Sequence, residues 1–354
     1  MFQLTFGTHK FQQKEDFELI INDFPDFANA AIRFCHEWLS GENNFTQQTS
    51  GSTGTPKNIE ISRAQMIASS KATQAFFQTD ENTNLLCCLD PSYIAGKMML
   101  VRAMVWNCSI HLTEPKSNPL LKLSTSPDFI AMVPLQVEAC LQEKVSLDKL
   151  KAIKHLIIGG AAISSHLKSL LIANDIQAYQ TYGMTETVSH IALAKIDSGL
   201  LTYKVLPGVE FGVDERNALW VKSASSKNKL VQTNDLVELL DKNSFLWLGR
   251  VDFVINSGGL KLHPELLESK AESAIQRIFP HSAFFFFGKK DKKLGHKLCL
   301  AIEAADSQEK EGKLFEFLRL NLAKYEVPKN IFLISEFIRT DSGKVNRLKT
   351  IEKL

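Results

Sequence analysis

The stretch TSGSTGTPK, residues 49–57, has residue types that suit the binding of an anion. Its glycines let backbone N–H groups converge on one point, and its hydroxyl side chains can donate further hydrogen bonds. The lysine at its end supplies a positive charge for phosphate oxygens. The spacing differs from the Walker pattern because Asn58, rather than Ser or Thr, follows Lys57. The stretch predicts a phosphate cradle, although by itself it also fits a flexible polar loop.

A second polar group, TYGMTET, occupies residues 181–187 after a strand-like run. Tyr182 can lie flat against an aromatic base, and Gly183 allows a ligand to approach the backbone closely. Thr185 can donate a hydrogen bond to phosphate, and the carboxylate of Glu186 offers the hard oxygens that Mg²⁺ prefers. Alone, the stretch fits a turn with an exposed acid equally well.

Three further stretches each place charged residues in predicted turns. Asp235, in TNDLVEL, can accept hydrogen bonds from both hydroxyls of a ribose, but it also fits an ordinary turn aspartate. In GRVDF, residues 249–253, Arg250 can reach a ribose or phosphate, and Asp252 lies at a candidate domain boundary. Lys344, in RTDSGKVNR, lies near the end of the chain in a turn where a lysine is usually just solvated.

In this order the five stretches resemble the motifs of the adenylate-forming superfamily, which includes acyl-CoA synthetases, adenylation domains and luciferases. The resemblance covers about residues 45–350. It implies that ATP is bound by Thr49, Ser50, Gly51, Ser52, Thr53, Gly54, Lys57, Gly159, Gly160, Ala161, Tyr182, Gly183, Met184, Asp235 and Arg250. It also implies catalytic roles for Lys344, Glu186 and Thr185, with Glu186 holding Mg²⁺.

Within the superfamily the chain is most similar to the 2-succinylbenzoate–CoA ligases of menaquinone synthesis, in a shortened form. The similarity lies in TYGMTETVSH, IAMVPLQVEACL and PSYIAGKMMLVR. In the last of these, Arg102 has the planar geometry that suits the unreactive carboxylate of such a substrate. It also fits a helix arginine whose head extends to solvent. The residues implied to line the acyl pocket are Tyr93, Arg102, Thr187, Ser189 and His190.

The chain departs from the family pattern at several positions. Asn58 stands where glycine is usual, Tyr93 where histidine is usual, and His190 where glutamine is usual. Residues 214–230 keep little of a usual family motif, and 48 residues precede the phosphate loop where the family usually has about a hundred more. These departures affect the acyl pocket more than the ATP chemistry. If the shortened start exposes apolar surface, a homodimer would cover it.

The resemblance implies a two-step reaction in which ATP adenylates the acid and CoA then takes the acyl group. The small C-terminal domain is expected to rotate between the steps about a hinge at Asp252. The alternatives are another aryl or acyl carboxylate–CoA ligase, a stand-alone adenylation enzyme serving a carrier protein, and a nucleotide-binding module without catalysis.

Strand-like and helix-like segments alternate from about residue 59 to 190, which predicts an α/β fold with a parallel sheet. Beyond residue 200 the segments are shorter and richer in β-formers, and the last hundred residues or so read as a compact α+β unit. We therefore expect a large AMP-binding domain at residues 1–250 and a small, mobile domain carrying the catalytic lysine at residues 251–354.

The composition indicates an ordinary soluble protein, and the resemblance implies that it acts on small molecules. The 354 residues carry 41 basic and 39 acidic side chains, so the net charge of +2 gives no electrostatic case for nucleic acid or a membrane surface. No apolar run is long enough to predict membrane insertion. The six cysteines show neither CxxC nor zinc-ligand spacing. We expect reduced, buried thiols and a cytoplasmic location.

Overall fold

The computed structural model describes residues 1–18, 24–48, 58–305, 307–339, 345–352 and 354. The helices are Asp26–Leu39 (α1), Arg63–Phe77 (α2), Ile94–Trp106 (α3), Pro134–Gln142 (α4), Lys144–Ala152 (α5), Ser165–Ala173 (α6), Pro264–Ile278 (α7), Gln308–Asn321 (α8) and Arg347–Ile351 (α9).

The strands of the first half of the chain are Gln3–Phe6 (β1), His9–Phe11 (β2), Asn44–Gln48 (β3), Asn58–Ser62 (β4), Leu85–Cys87 (β5), Ser109–Leu112 (β6), Phe129–Met132 (β7), His155–Ile158 (β8), Ala178–Gly183 (β9) and His190–Lys195 (β10). The later strands are Thr202–Val205 (β11), Glu210–Val213 (β12), Ala218–Lys222 (β13), Val231–Asp241 (β14), Ser244–Arg250 (β15), Ile255–Ser257 (β16), Leu260–Leu262 (β17), Phe284–Asp291 (β18), Gly295–Glu303 (β19) and Asn330–Ile334 (β20).

A 13-stranded sheet in the order β12-β13-β14-β15-β11-β10-β9-β8-β7-β5-β6-β1-β2 forms the centre of the large region. The pairs from β9 through β8, β7, β5 and β6 to β1 are parallel. The pairs from β9 through β10 to β12 are antiparallel. This arrangement confirms the predicted fold class, a parallel α/β sheet extended by a β-rich segment.

Both faces of the parallel strands are covered by helices, as their nearly continuous apolar sequences require. One core joins α1, α2 and α3 to one face, and the other joins α4, α5 and α6 to the opposite face. Helix α2 begins with a capping box, in which Ser62 accepts the backbone N–H of Gln65 and the Gln65 side chain accepts that of Ser62. This cap fixes the start of the helix that passes behind the candidate site.

The C-terminal part forms its own five-stranded sheet, ordered β17-β16-β19-β18 with β20 on β19, and α7 and α8 pack on it. Gly258 and Gly259 connect β16 to β17 with positive φ angles of 59° and 84°, which favours glycine at both positions. The contacts between this C-terminal part and the large region include a 2.6 Å hydrogen bond from the Ser165 backbone N–H to the Glu272 carboxylate.

The elements that the sequence did not predict include the hairpin β3–β4 and helix α5. The strands NFTQQ and NIEIS are only five residues long, and the helix sequence KVSLDKLKA is short and mostly polar. All six cysteines are buried free thiols. In the part of the chain that the structure describes, no helix combines the length and apolarity needed to cross a bilayer.

Candidate active site

The parallel strands β7, β8 and β9 end at the same edge of the sheet, where ligands usually bind in such folds. The loop Gly159–Ala161 follows β8, and Gly160 there has a φ of +82°. The Gln180 side chain on β9 accepts the Ile163 backbone N–H at 2.9 Å and donates to the Ala161 carbonyl oxygen at 3.2 Å. A buried glutamine therefore fixes the loop next to the end of β9.

Asp235 lies within β14 rather than in a turn, directly opposite Arg250 on β15. The Tyr182 hydroxyl donates to Asp235 Oδ2 at 2.7 Å, and Arg250 Nη1 lies 3.6 Å from Oδ1. The Tyr182 ring makes edge contacts with Tyr203 and Phe245. Burial raises the pKa of Tyr182 well above its usual value, and the charge of Asp235 adds to this effect. Tyr182 is therefore a neutral donor that orients the carboxylate.

Thr185 and Glu186 follow β9 in a short 3₁₀ turn. The Glu186 side chain is exposed, and within the described ranges its carboxylate has no ion pair. A Cβ atom at Gly183 would lie 2.4 Å from the Cα atom of His190, so the turn between β9 and β10 requires glycine there. The turn leaves Glu186 available to a cation at the edge of the sheet.

Arg102 lies in the C-terminal half of α3 and is 2% exposed, so its head does not extend to solvent. Its Nη2 donates to Ser189 Oγ at 3.2 Å, its Nη1 contacts Met99 Sδ at 3.4 Å, and its guanidinium lies 5.9 Å from the Phe129 ring centroid. Its buried Nε has no hydrogen-bond partner among the described residues, where no carboxylate forms an ion pair with it. Burial lowers its pKa to about 10, so it remains charged at neutral pH.

His190, at the start of β10, is buried beside this arginine. Its Nδ1 lies 3.3 Å from Ser189 Oγ, and its Nε2 lies 3.2 Å from Thr73 Oγ1 on α2. Burial, and then the charge of Arg102, lowers the pKa of His190 well below its usual value. The imidazole is therefore neutral.

Tyr93 lies away from Arg102, whereas Thr187 contacts Ser189, whose side chain binds Arg102. Tyr93 is 63% exposed at the start of α3, nine residues before Arg102, which is about 13 Å along a helix. Thr187 is fully buried, and its hydroxyl accepts the Met184 backbone N–H and lies 2.8 Å from the Ser189 carbonyl oxygen. Their assignment to the acyl pocket stays a prediction.

Asp252 lies in the 3₁₀ turn that follows β15, between the two sheets. Arg250 Nη2 is 2.9 Å from Asp252 Oδ2, and the Asn234 amide is 3.5 Å from the same carboxylate. Just before the turn, a Cβ atom at Gly249 would lie 2.5 Å from a Glu265 carboxylate oxygen on α7. The expected hinge is thus held by polar contacts in this arrangement, and its role stays a prediction.

Two predicted groups lie outside the described residues: the phosphate-loop residues Thr49, Ser50, Gly51, Ser52, Thr53, Gly54 and Lys57, and the lysine Lys344. The neighbouring described segments are β3 and β4 for the first group, and the Arg339–Val345 bridge for the second.

Sequence reasoning missed two residues that organise the site, Gln180 and Thr73. Both side chains are buried, and each forms hydrogen bonds with residues that are distant in the sequence. Gln180 had a detectable signal, since an amide on an otherwise apolar strand just before TYGMTET needs hydrogen-bond partners. Thr73 had none, because its partner His190 is 117 residues away.

Residues 37–216 match the family described as AMP-binding enzyme. A solved acyl-CoA synthetase (AMP-forming)/AMP-acid ligase II-like protein from Dyadobacter fermentans is 36% identical, with a TM-score of 0.64. The match covers 97% of this chain and 98% of that one. The chain belongs to the AMP-binding enzyme family, which confirms the membership that the motifs predicted.

Two curated relatives carry the name 2-succinylbenzoate–CoA ligase. The Haemophilus influenzae protein is 26% identical over 79% of this chain and 64% of its own length. The Listeria monocytogenes strain F2365 protein is 27% identical over 86% of this chain and 69% of its own length. The chain thus spans about two thirds of their length. O-succinylbenzoate coenzyme A synthetase from Bacillus subtilis, solved with ATP and magnesium ion, is 22% identical to this chain, with a TM-score of 0.70. The match covers 86% of this chain and 69% of that one, and it supports the fold.

Proposed function

We propose that this protein is an AMP-forming acid–thiol ligase that adenylates 2-succinylbenzoate and transfers the acyl group to CoA. The observation that carries the choice of acid is the buried guanidinium of Arg102. An unpaired charge in a protein interior is costly, and a carboxylate that reaches it offsets that cost. 2-Succinylbenzoate has two carboxylates, so one can bind Arg102 while the other reacts. The names of the curated relatives agree with this choice.

The described residues fit ATP and a magnesium ion. The Gly159–Ala161 loop follows β8, and Tyr182 lies on the adjacent strand β9, where its hydroxyl orients the carboxylate of Asp235 on β14. These three groups offer contacts to a nucleoside. Glu186 is exposed and free of ion pairs within the described ranges, so it would hold Mg²⁺ together with phosphate oxygens. The ion would supply positive charge where the two anions meet.

In the first step the succinyl carboxylate attacks the α-phosphorus of ATP, an acyl–oxygen–phosphorus link forms, and pyrophosphate leaves. Thr185 donates to the α-phosphate, residues 49–57 bind the leaving pyrophosphate, and Lys344 neutralises the charge between carboxylate and phosphate. In the second step the CoA thiol loses its proton, its sulfur attacks the acyl carbon, and AMP leaves. The proposal places the domain boundary after residue 250 and the hinge at Asp252, so that Lys344 can withdraw between the steps.

The test is a competition between acids. The protein is incubated with ATP, Mg²⁺, CoA and an equimolar mixture of aryl and short acyl acids that includes 2-succinylbenzoate, and thioesters are identified by mass spectrometry. Succinylbenzoyl-CoA as the dominant product supports the proposal. A different acyl-CoA would retain the ligase chemistry and reject the substrate. Acyl-AMP without thioester would indicate a carrier-protein partner, and the absence of AMP would indicate a module without catalysis.

A further inference from the structure

A series of hydrogen bonds leads from Arg102 on α3 to helix α2. Arg102 Nη2 contacts Ser189 Oγ at 3.2 Å, and Ser189 Oγ lies 3.3 Å from His190 Nδ1. His190 Nε2 lies 3.2 Å from Thr73 Oγ1, which donates to the Ser69 carbonyl oxygen at 3.1 Å. We call the side chains of Arg102, Ser189, His190 and Thr73 the relay. It connects α3, the start of β10 and α2.

The hydrogen-bond directions in the relay follow from its two ends, because a guanidinium only donates and the Ser69 carbonyl oxygen only accepts. Ser189 therefore accepts from Arg102 and is left with one hydrogen to donate. That hydrogen goes to His190 Nδ1, which places the imidazole proton on Nε2. With the proton on Nδ1 instead, the Ser189 hydroxyl would have no acceptor among the described residues. His190 Nε2–H therefore donates to Thr73, whose own hydrogen is used by the Ser69 carbonyl.

Packing alone does not hold the His190 ring in this position. A cavity of about 80 Å³ lies beside it, lined by Ala68, Ser69 and Ala72 of α2 and by residues 206–209 and 223–225. The ring has space on that side, so the hydrogen bonds to Ser189 and Thr73 are what fix its orientation. Thr73 is fully buried and the histidine is 6% exposed, so water does not compete strongly for these bonds.

We propose that His190 and Thr73 are positioning residues for the acid substrate, acting through Ser189 on the guanidinium of Arg102. The relay uses one edge of the guanidinium and leaves the buried Nε without a partner among the described residues. In the proposal, a carboxylate of the acid becomes the partner of this nitrogen. The inference rests on the proposed function, and neither positioning residue needs to touch the acid.

The kinetic test uses Thr73→Val, which has nearly the same shape as threonine but cannot accept from His190. Loss of one hydrogen bond at this distance from the acid should raise KM for 2-succinylbenzoate about five- to tenfold, with kcat and KM for ATP unchanged. Thr73→Ser restores the hydroxyl and should restore KM. Ser70→Ala is the matched control, since it removes a buried hydroxyl of the same helix that lies outside the relay. An unchanged KM in a folded Thr73→Val protein would overturn the proposal.

A second test needs no turnover. Nitrogen-15 NMR of the histidine-labelled protein, with the His190 signals assigned through His190→Gln, reports which ring nitrogen carries the proton. The relay predicts the Nε2–H form, and loss of that preference in Thr73→Val. A proton on Nδ1 would overturn the proposal. If wild-type protein forms no thioester with any acid, the proposed function fails, whereas the NMR result still decides the relay.

Discussion

Replacing Arg102 by methionine keeps much of the side-chain volume and removes the charge. Burial lowers the pKa of Arg102 to about 10. At about 1.4 kcal/mol per pKa unit, that lowering corresponds to about 3 kcal/mol of desolvation cost in the folded protein. The cost is fully present at pH 7, because this pH lies below the pKa of Arg102 in both the folded and the unfolded protein. The cost disappears only as the pH rises through 10 and the folded protein loses the Arg102 charge. Arg102→Met should therefore raise the free energy of unfolding by about 1–3 kcal/mol, after allowing for lost contacts.

The same change should weaken the use of the acid. Truncating one partner of a buried charge pair typically costs 2–5 kcal/mol, so kcat/KM for 2-succinylbenzoate should fall about 30-fold or more, with KM for ATP unchanged. The control is 4-oxo-4-phenylbutanoate, which lacks the aromatic carboxylate. Its kcat/KM should be nearly the same in wild type and Arg102→Met. Urea unfolding and steady-state kinetics measure the two effects. A less stable variant with unchanged use of both acids would refute the reasoning.

Three further changes test other parts of the account. Asp252→Pro fixes φ at the expected hinge, so adenylate formation should persist while thioester formation falls at least tenfold, measured as separate half-reactions. Gly183→Ala places a Cβ atom 2.4 Å from backbone atoms, so the free energy of unfolding should fall by about 1–3 kcal/mol in urea titrations. Burial raises the pKa of Glu268 to about 7. This carboxyl therefore contributes to the free energy of unfolding below pH 4.5, and the contribution is lost as the pH rises through 7. Over that range the free energy of unfolding of Glu268→Gln should rise by up to about 3 kcal/mol relative to that of wild type.

Each of these changes has its own control or contrary outcome. Equal loss of both half-reactions in Asp252→Pro would reject the hinge. Gly312→Ala, in α8, adds a Cβ atom with nothing within 4 Å and should stabilise the protein slightly, in contrast to Gly183→Ala. A difference between Glu268→Gln and wild type that stays constant from pH 4.5 to 8 would show that Glu268 is ionised throughout, held so by Arg347 at 2.7 Å.

The parallel sheet was predictable because its strands and helices alternate with clear apolar patterns. The strand HLII, the helix SHLKSLLIA and the strand AYQTYG follow one another with short connections, and such units pair in parallel. The hairpin β3–β4 was not predictable in the same way. Its two strands are only five residues long and are separated by the glycine-rich loop, so the alternation of polar and apolar residues is too short to recognise as a strand pair.

For the site, sequence indicated residue types but not the contacts between them. Asp235 was identified from its motif, whereas its hydrogen bond with Tyr182 joins β14 to β9 across three intervening strands, β15, β11 and β10, which no local pattern predicts. Arg102 was open to two interpretations because the helical pattern of α3 is apolar on all sides. Burial of the guanidinium excludes the solvent-facing one. The link from His190 to Thr73 joins residues far apart in sequence, and no local pattern encodes it.

The central claim is that acid, ATP and CoA are consumed together at this site. The most direct measurement follows AMP, pyrophosphate and succinylbenzoyl-CoA in one reaction of purified protein with 2-succinylbenzoate, ATP, Mg²⁺ and CoA. The account predicts equal amounts of the three products and none when the acid is omitted. ADP in place of AMP, or AMP formed without dependence on the acid, would contradict it.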